Sequence, residues 1–183
     1  VSDPDGRRQL GQLLVDRALL RGHFVLRSGR TSDYYLDKYR FETDPQLLEG
    51  LGRELGAMIA THAPDATLLA GPELGAVPLA AVASIASRLP YVIVRKERKD
   101  YGTANRLEGV FETGAQVCVV EDVVTSGGAL LSAVDALDEA GLRVCAAICV
   151  VDRLEGGAEA IAARGIPFTP MFTTADLGVG SAP

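Results

Sequence analysis

The chain has 183 residues, one domain's worth at roughly 100–200 residues each, and long enough to bury roughly 70% of its unfolded surface without a disulfide or metal staple. Its 18 basic and 24 acidic side chains give a net charge of −6, and the pI of about 4.9 argues against general nucleic-acid binding and against an anionic membrane surface. Hydrophobic residues make up 48%, which excludes a disordered chain.

The apolar spacing of Leu10, Leu13, Leu14 and Ala18 predicts a helix over residues 8–20. His23 to Asp37 reads as two short strands around a Ser-Gly turn. Asp44-Pro45 is an N-cap with proline at the first helical position, and the helix behind it carries Leu47, Leu51, Leu55 and Met58 on one stripe. The pattern then alternates. Strands are predicted at 67–70, 91–94, 117–120, 144–151 and near Phe168 to Phe172. Helices are predicted from about Pro78 to Ser87, after Ala129 with Gly141 as its stop, and at 156–164. Continuous Val/Ile-rich strands alternating with helices mean an α/β fold with a mostly parallel sheet covered on both faces. One domain over residues 1–183 is expected.

Cys118, Cys145 and Cys149 are odd in number and lie in apolar runs, which points to buried thiols in a reducing, cytoplasmic setting. On one strand, Cys145 and Cys149 should share a face. No apolar run approaches the roughly 18 residues that span a bilayer, and no signal peptide is expected at the N-terminus. Two histidines, His23 and His62, leave almost no room for a Ser-His-Asp enzyme or a multi-His metal site.

Four predicted strands end in chemically distinctive pairs: Gly71-Pro72, Arg95-Lys96, Glu121-Asp122 and Asp152-Arg153. Open α/β sheets bind ligands beyond the carboxyl ends of their strands, so these pairs should converge. The sharpest segment runs Val117-Cys118-Val119-Val120-Glu121-Asp122-Val123-Val124-Thr125-Ser126-Gly127-Gly128-Ala129. A turn that opens a helix presents backbone N–H groups to an anion, and its glycines let a phosphate approach the main chain. The two carboxylates before it suit sugar hydroxyls, or a Mg²⁺ held mainly by the ligand. Together they describe a phosphorylated sugar. Neither a P-loop nor a G-x-G-x-x-G fingerprint is present. Residues 95–109 form a long polar stretch with four cations in five positions, Arg95, Lys96, Arg98 and Lys99. This suits a lid over a polyanionic ligand.

The 117–129 segment resembles the ribose-phosphate signature of type I phosphoribosyltransferases. Phe24-Val25-Leu26-Arg27-Ser28-Gly29 with Ser32-Asp33-Tyr34-Tyr35, the Arg95-Lys96-Glu97-x-Lys99-Asp100-x-Gly102 run with Glu108-Gly109, and Val151-Asp152-Arg153 make the chain similar to orotate phosphoribosyltransferases. The resemblance spans about Leu10 to Leu177. It implies the type I phosphoribosyltransferase fold, with a small N-terminal hood built mainly from about 21–42 and a lid over about 96–109. It implies transfer of phosphoribosyl from 5-phosphoribosyl 1-diphosphate to orotate, with Mg²⁺ near Glu121 and Asp122. Thr125, Ser126, Gly127, Gly128 and Ala129 would hold the 5-phosphate, and Glu121 and Asp122 would face the ribose. Arg95, Lys96 and Lys99 would neutralise diphosphate, with Tyr101 in the lid. Arg153 would pair with the orotate carboxylate, with Tyr35 and Leu36 as hood over the base and Arg27 nearby. Lys99 and Asp122 are the implied catalytic residues, and the lid would act in trans across a homodimer, with Arg95 and Lys99 reaching the neighbouring subunit's site. The alternatives are transfer to another nucleobase, and a non-catalytic sensor of the sugar diphosphate. Three positions depart from the usual pattern: Arg27 and Gly75 where lysines are common, and Tyr101 where a histidine is usual.

Overall fold

The computed structural model describes residues 4–25, 29, 31–97 and 106–179. Helix α1 (Pro4–Ala18) starts earlier than the apolar periodicity suggests, with proline at its start and Asp5 in its first turn. It also stops earlier. Leu19 and Leu20 leave the helix to pair with Leu36 and Tyr35, in an antiparallel ribbon of β1 (Leu19–Val25) and β2 (Thr31–Leu36). A short helix, α2 (Lys38–Glu42), follows and buries Phe41 completely. Helix α3 (Pro45–His62) begins as expected: the Asp44 carboxylate accepts from the N–H groups of Gln46 and Leu47, and Pro45 occupies the first position.

The central sheet contains β3 (Leu68–Pro72), β4 (Tyr91–Val94), β5 (Leu107–Glu108), β6 (Gln116–Val124), β7 (Arg143–Asp152) and β8 (Phe168–Thr173). Its order is β5-β4-β3-β6-β7-β8; every pairing is parallel except β4 with β5. The connections carry α4 (Ala76–Ser87), α5 (Gly128–Glu139) and α6 (Gly157–Ala162). Gly141, at φ 76, ends α5 as the sequence predicts.

Alternate residues along the strands serve two cores. On one face Leu69, Cys118, Val120, Ile148 and Val150 pack with Leu14, Leu47, Leu51 and Leu79. On the other, Leu68, Val92, Val117, Val119 and Ala147 pack with Leu130, Val134, Leu137 and Ile161. No described helix is long and apolar enough to cross a membrane.

Two strand expectations change. Cys145 and Cys149 do not share a face: Cys145 packs on the first core and Cys149 in the second. The cause is a register shift opposite Val117–Cys118, where the β7 partners step from Val144 to Ala146 and leave Cys145 as an extra residue. The strand through Glu121 and Asp122 does not end there. β6 continues to Val124, and the pair is buried inside it.

Candidate active site

The carboxyl ends of four parallel strands lie side by side, and each delivers a distinctive residue. The Arg153 N–H donates to Val124 O at 2.9 Å, tying the end of β7 to that of β6. The Glu73 N–H donates to Val94 O at 2.8 Å, tying β3 to β4. In sheet order the edge reads Arg95, then Glu73 to Gly75, then Glu121 to Ala129, then Arg153. The expected convergence therefore occurs.

Its middle is the turn from β6 into α5. Gly127 is left-handed (φ 80), and α5 begins with no side-chain cap. The first N–H groups of a helix have no partner within it, so an uncapped start presents donors and a positive dipole end to an anion. Thr125, Ser126, Gly128 and Ala129 are exposed around it, while Gly127 is buried. Gly157, which the sequence reading did not single out, backs the turn. A Cβ there would stand 2.5 Å from Thr125 O and overlap Val124.

Behind the turn lies a buried charge cluster. Lys38 Nζ donates to Asp122 Oδ2 at 2.6 Å, and Asp122 Oδ1 accepts from the Val123 N–H at 2.5 Å. Glu121 Oε1 accepts from the Asp122 N–H at 3.2 Å; Glu121 Oε2 and Glu42 Oε1 are buried without a hydrogen-bond partner. Burial, then the charge of Asp122, pushes both Glu42 and Glu121 up to about 8. Burial alone would lower the Lys38 ammonium, but the hydrogen bond and charge of Asp122 outweigh it and raise its pKa. Carboxyls this close share protons, so the cluster is far less anionic at neutral pH than its composition suggests.

The flanks are cationic. Arg153 lies 5.5 Å over the Tyr34 ring and pairs with Glu155 at 3.1 Å, leaving its Nε buried and without a hydrogen bond. Arg95 reaches Glu108 at 3.5 Å and Glu73 at 4.0 Å, and the Lys96 N–H donates to Glu73 Oε1 at 2.7 Å. A cleft of about 90 Å³ between Glu73, Arg95, Lys96, Arg106, Ala129 and Ser132 joins this flank to the start of α5.

Among the sequence-predicted residues, Arg95, Lys96, Glu121, Asp122, Thr125 to Ala129 and Arg153 meet along this edge. Arg27, Lys99 and Tyr101 lie outside the described residues. In the ribbon it is Tyr34 that stacks on Arg153. Tyr35 is 42% exposed and packs on Phe24 at 5.6 Å between ring centroids, and Leu36 is part of the core. Period-two alternation separates Tyr34 from Tyr35 but does not say which one faces the sheet. Lys38 and Glu42 were also missed, since their five-residue helix is too short to show a period, and Glu73 was passed over one residue beyond the Gly71-Pro72 pair. Among the described residues, no group of three or more His, Cys, Asp or Glu could hold a metal ion.

A family model described as the phosphoribosyl transferase domain matches residues 53–164. The chain is 48% identical over 156 residues to an orotate phosphoribosyltransferase of Halobacterium salinarum, covering 85% of this chain and 87% of the relative. It is 41% identical over 170 residues to that of Thermococcus gammatolerans, covering 93% and 90%. The crystal structure of Mycobacterium tuberculosis orotate phosphoribosyltransferase in complex with 5-phospho-alpha-D-ribosyl 1-diphosphate superposes with a TM-score of 0.81 at 34% identity, covering 95% of this chain and 99% of that one. With a sheet edge that offers an uncapped helix start between two cationic flanks, the chain belongs to the orotate phosphoribosyltransferase family.

Proposed function

We propose that the chain transfers the 5-phosphoribosyl group from 5-phosphoribosyl 1-diphosphate to orotate, giving orotidine 5′-monophosphate and diphosphate in pyrimidine nucleotide synthesis. The observation that carries this reading is the uncapped start of α5 between the acids of β6 on one side and Arg153 on the other. The 5-phosphate sits on the N–H groups of the 125–129 turn, with the hydroxyls of Thr125 and Ser126 as further donors. The ribose hydroxyls lie against Asp122 and Glu121. Arg153 takes the orotate carboxylate in a planar fork; its unpartnered Nε supports this assignment. Arg95 and Lys96 face the diphosphate, joined by Lys99 of the partner subunit's lid.

Little covalent help is needed. Diphosphate leaves as positive charge builds on the ribose ring, and orotate is held in line behind C1. The cations stabilise the leaving group as its charge develops. A Mg²⁺ held mainly by the sugar diphosphate would supply neutralisation of part of the leaving group's charge. Glu121, whose Oε2 is buried without a partner, and Asp122 provide oxygens that fit beside it. Closure of the lid excludes water that would otherwise hydrolyse the sugar diphosphate. The protein works as a homodimer in which Lys99 serves the neighbouring subunit's site. Its three unpaired cysteines support a reducing, cytoplasmic setting.

The deciding experiment follows ultraviolet absorbance with orotate, phosphoribosyl diphosphate and Mg²⁺, with uracil, hypoxanthine and adenine in parallel. Turnover with orotate alone is expected. Turnover with another base alone, or tight binding of the sugar diphosphate without turnover, overturns the reading.

A further inference from the structure

α2 is only five residues long, yet it is firmly placed, because Phe41 is fully buried in the core. One turn before Phe41, Lys38 reaches Asp122, 84 positions along the chain. One residue after it, Glu42 is 2% exposed and points Oε1 into the same space without a partner. The third wall of that space is Gly75, just before α4. A Cβ at residue 75 would overlap Asp122 Oδ2, and would stand 2.6 Å from Glu42 Oε1 and 2.8 Å from Lys38 Nζ. The ammonium, two carboxyls and a missing side chain therefore fit one volume at the edge where the ribose binds.

The arrangement fixes Asp122. One carboxylate oxygen is held by its neighbour's N–H and the other by Lys38, which leaves the group a single orientation while lone pairs remain on both oxygens. An ammonium has three donors, and Asp122 takes one. The side chain of Lys38 is 35% exposed against 4% for Asp122, so the pair opens toward solvent on the lysine side. Without Lys38, three carboxyls would crowd a site that must accept a triply phosphorylated sugar.

We propose that Lys38 is a positioning residue of the transfer reaction: from α2 it fixes the Asp122 carboxylate across the ribose subsite, and residue 75 is glycine because Lys38 and its acids fill the space of a side chain. This rests on the β6 edge being the ribose subsite.

The test is steady-state kinetics of Lys38→Met and of the double variant Lys38→Met/Glu42→Gln, with thermal unfolding alongside. The double variant also removes one buried acid, which offsets the uncompensated charge left by the single variant and serves as the test where that one fails to fold. Loss of a charge-assisted contact should raise the KM for phosphoribosyl diphosphate about tenfold or more in the folded variants. The Kd for orotate, titrated directly, should stay within about twofold, because Arg153 is untouched. A KM for the sugar diphosphate within about twofold of the parent's would overturn the inference, as would equal losses for both substrates, the mark of a tie that merely seats the hood. A parent protein with no turnover on orotate would overturn the reading of the site instead.

Discussion

The guanidinium of Arg153 lies 5.5 Å over the ring of Tyr34, a contact that joins the end of β7 to the β1–β2 ribbon. The stack, with Glu155 on one terminal nitrogen, holds the guanidinium fork in place. Arg153→Ala should weaken orotate binding by about tenfold or more while sparing the sugar diphosphate. Tyr34→Phe, which keeps the ring, should bind orotate nearly as well as the parent. Calorimetric titration of each substrate separates the cases; equal loss of both ligands in Arg153→Ala would remove Arg153 from the base subsite.

The turn proposed to hold the 5-phosphate depends on its main chain. Gly127 is left-handed, and a Cβ there would meet Gly157 O at 3.2 Å. Gly127→Ala should cost roughly 1–2 kcal/mol of backbone strain and raise the KM for the sugar diphosphate. Gly157→Ala should do so too, by pushing Thr125 O out of place. Urea denaturation and initial rates read the two effects. An unchanged KM in both variants would place the phosphate elsewhere.

Stability should fall with rising pH across the neutral range. Glu42 and Glu121 are held near 8, against an ordinary 4.5, by burial first and the Asp122 charge second, with Lys38 opposing both and Asp37 adding to the rise at Glu42. A carboxyl raised in the folded state binds its proton there at pH values where the unfolded chain has lost it. Its stabilisation is therefore complete below the unfolded pKa and is lost as pH climbs through the folded one. The urea midpoint should decline between about pH 5 and about 8.5, and Glu42→Gln should flatten the decline. A flat parent profile would contradict the raised values.

Sharing of the lid across a dimer is open to a complementation test. Lys99→Ala and Asp122→Ala should each be inactive alone. Mixed after co-refolding, a heterodimer should carry one intact site of two, so about half the activity per dimer should return if Lys99 acts in trans. Heterodimers confirmed by mass but lacking activity would assign Lys99 to its own subunit's site.

Much of this architecture is legible in the chain. The N-cap at Asp44, the stop at Gly141 and the buried parallel strands all follow from local rules. The 117–129 segment also carries its chemistry in adjacent residues. What escapes has physical causes. The KYRFE stretch is too short to show a helical period, so α2 and with it Lys38 stay hidden. Two-residue β5 owes its existence to its partner β4. No glycine or proline marks the extra residue at Cys145, so the faces of Cys145 and of the residues before it on β7 are misjudged. Gly75 reads as a missing contact in sequence, but in three dimensions its space is filled by Lys38, Glu42 and Asp122.

The chain leaves the sheet at Arg95 and returns at Arg106, whose carbonyl oxygen accepts the Arg95 N–H at 2.7 Å. Both ends of the excursion are thus tethered at one point. Lys99 is four residues from that anchor, so its Cα can stand no farther than about 14 Å from Arg95 even fully extended. Any subunit it serves must bring its own diphosphate subsite inside that radius plus one side chain. The tether therefore sets a ceiling on how far apart two cooperating sites can sit, and any dimer arrangement that places them beyond it is excluded by chain length alone.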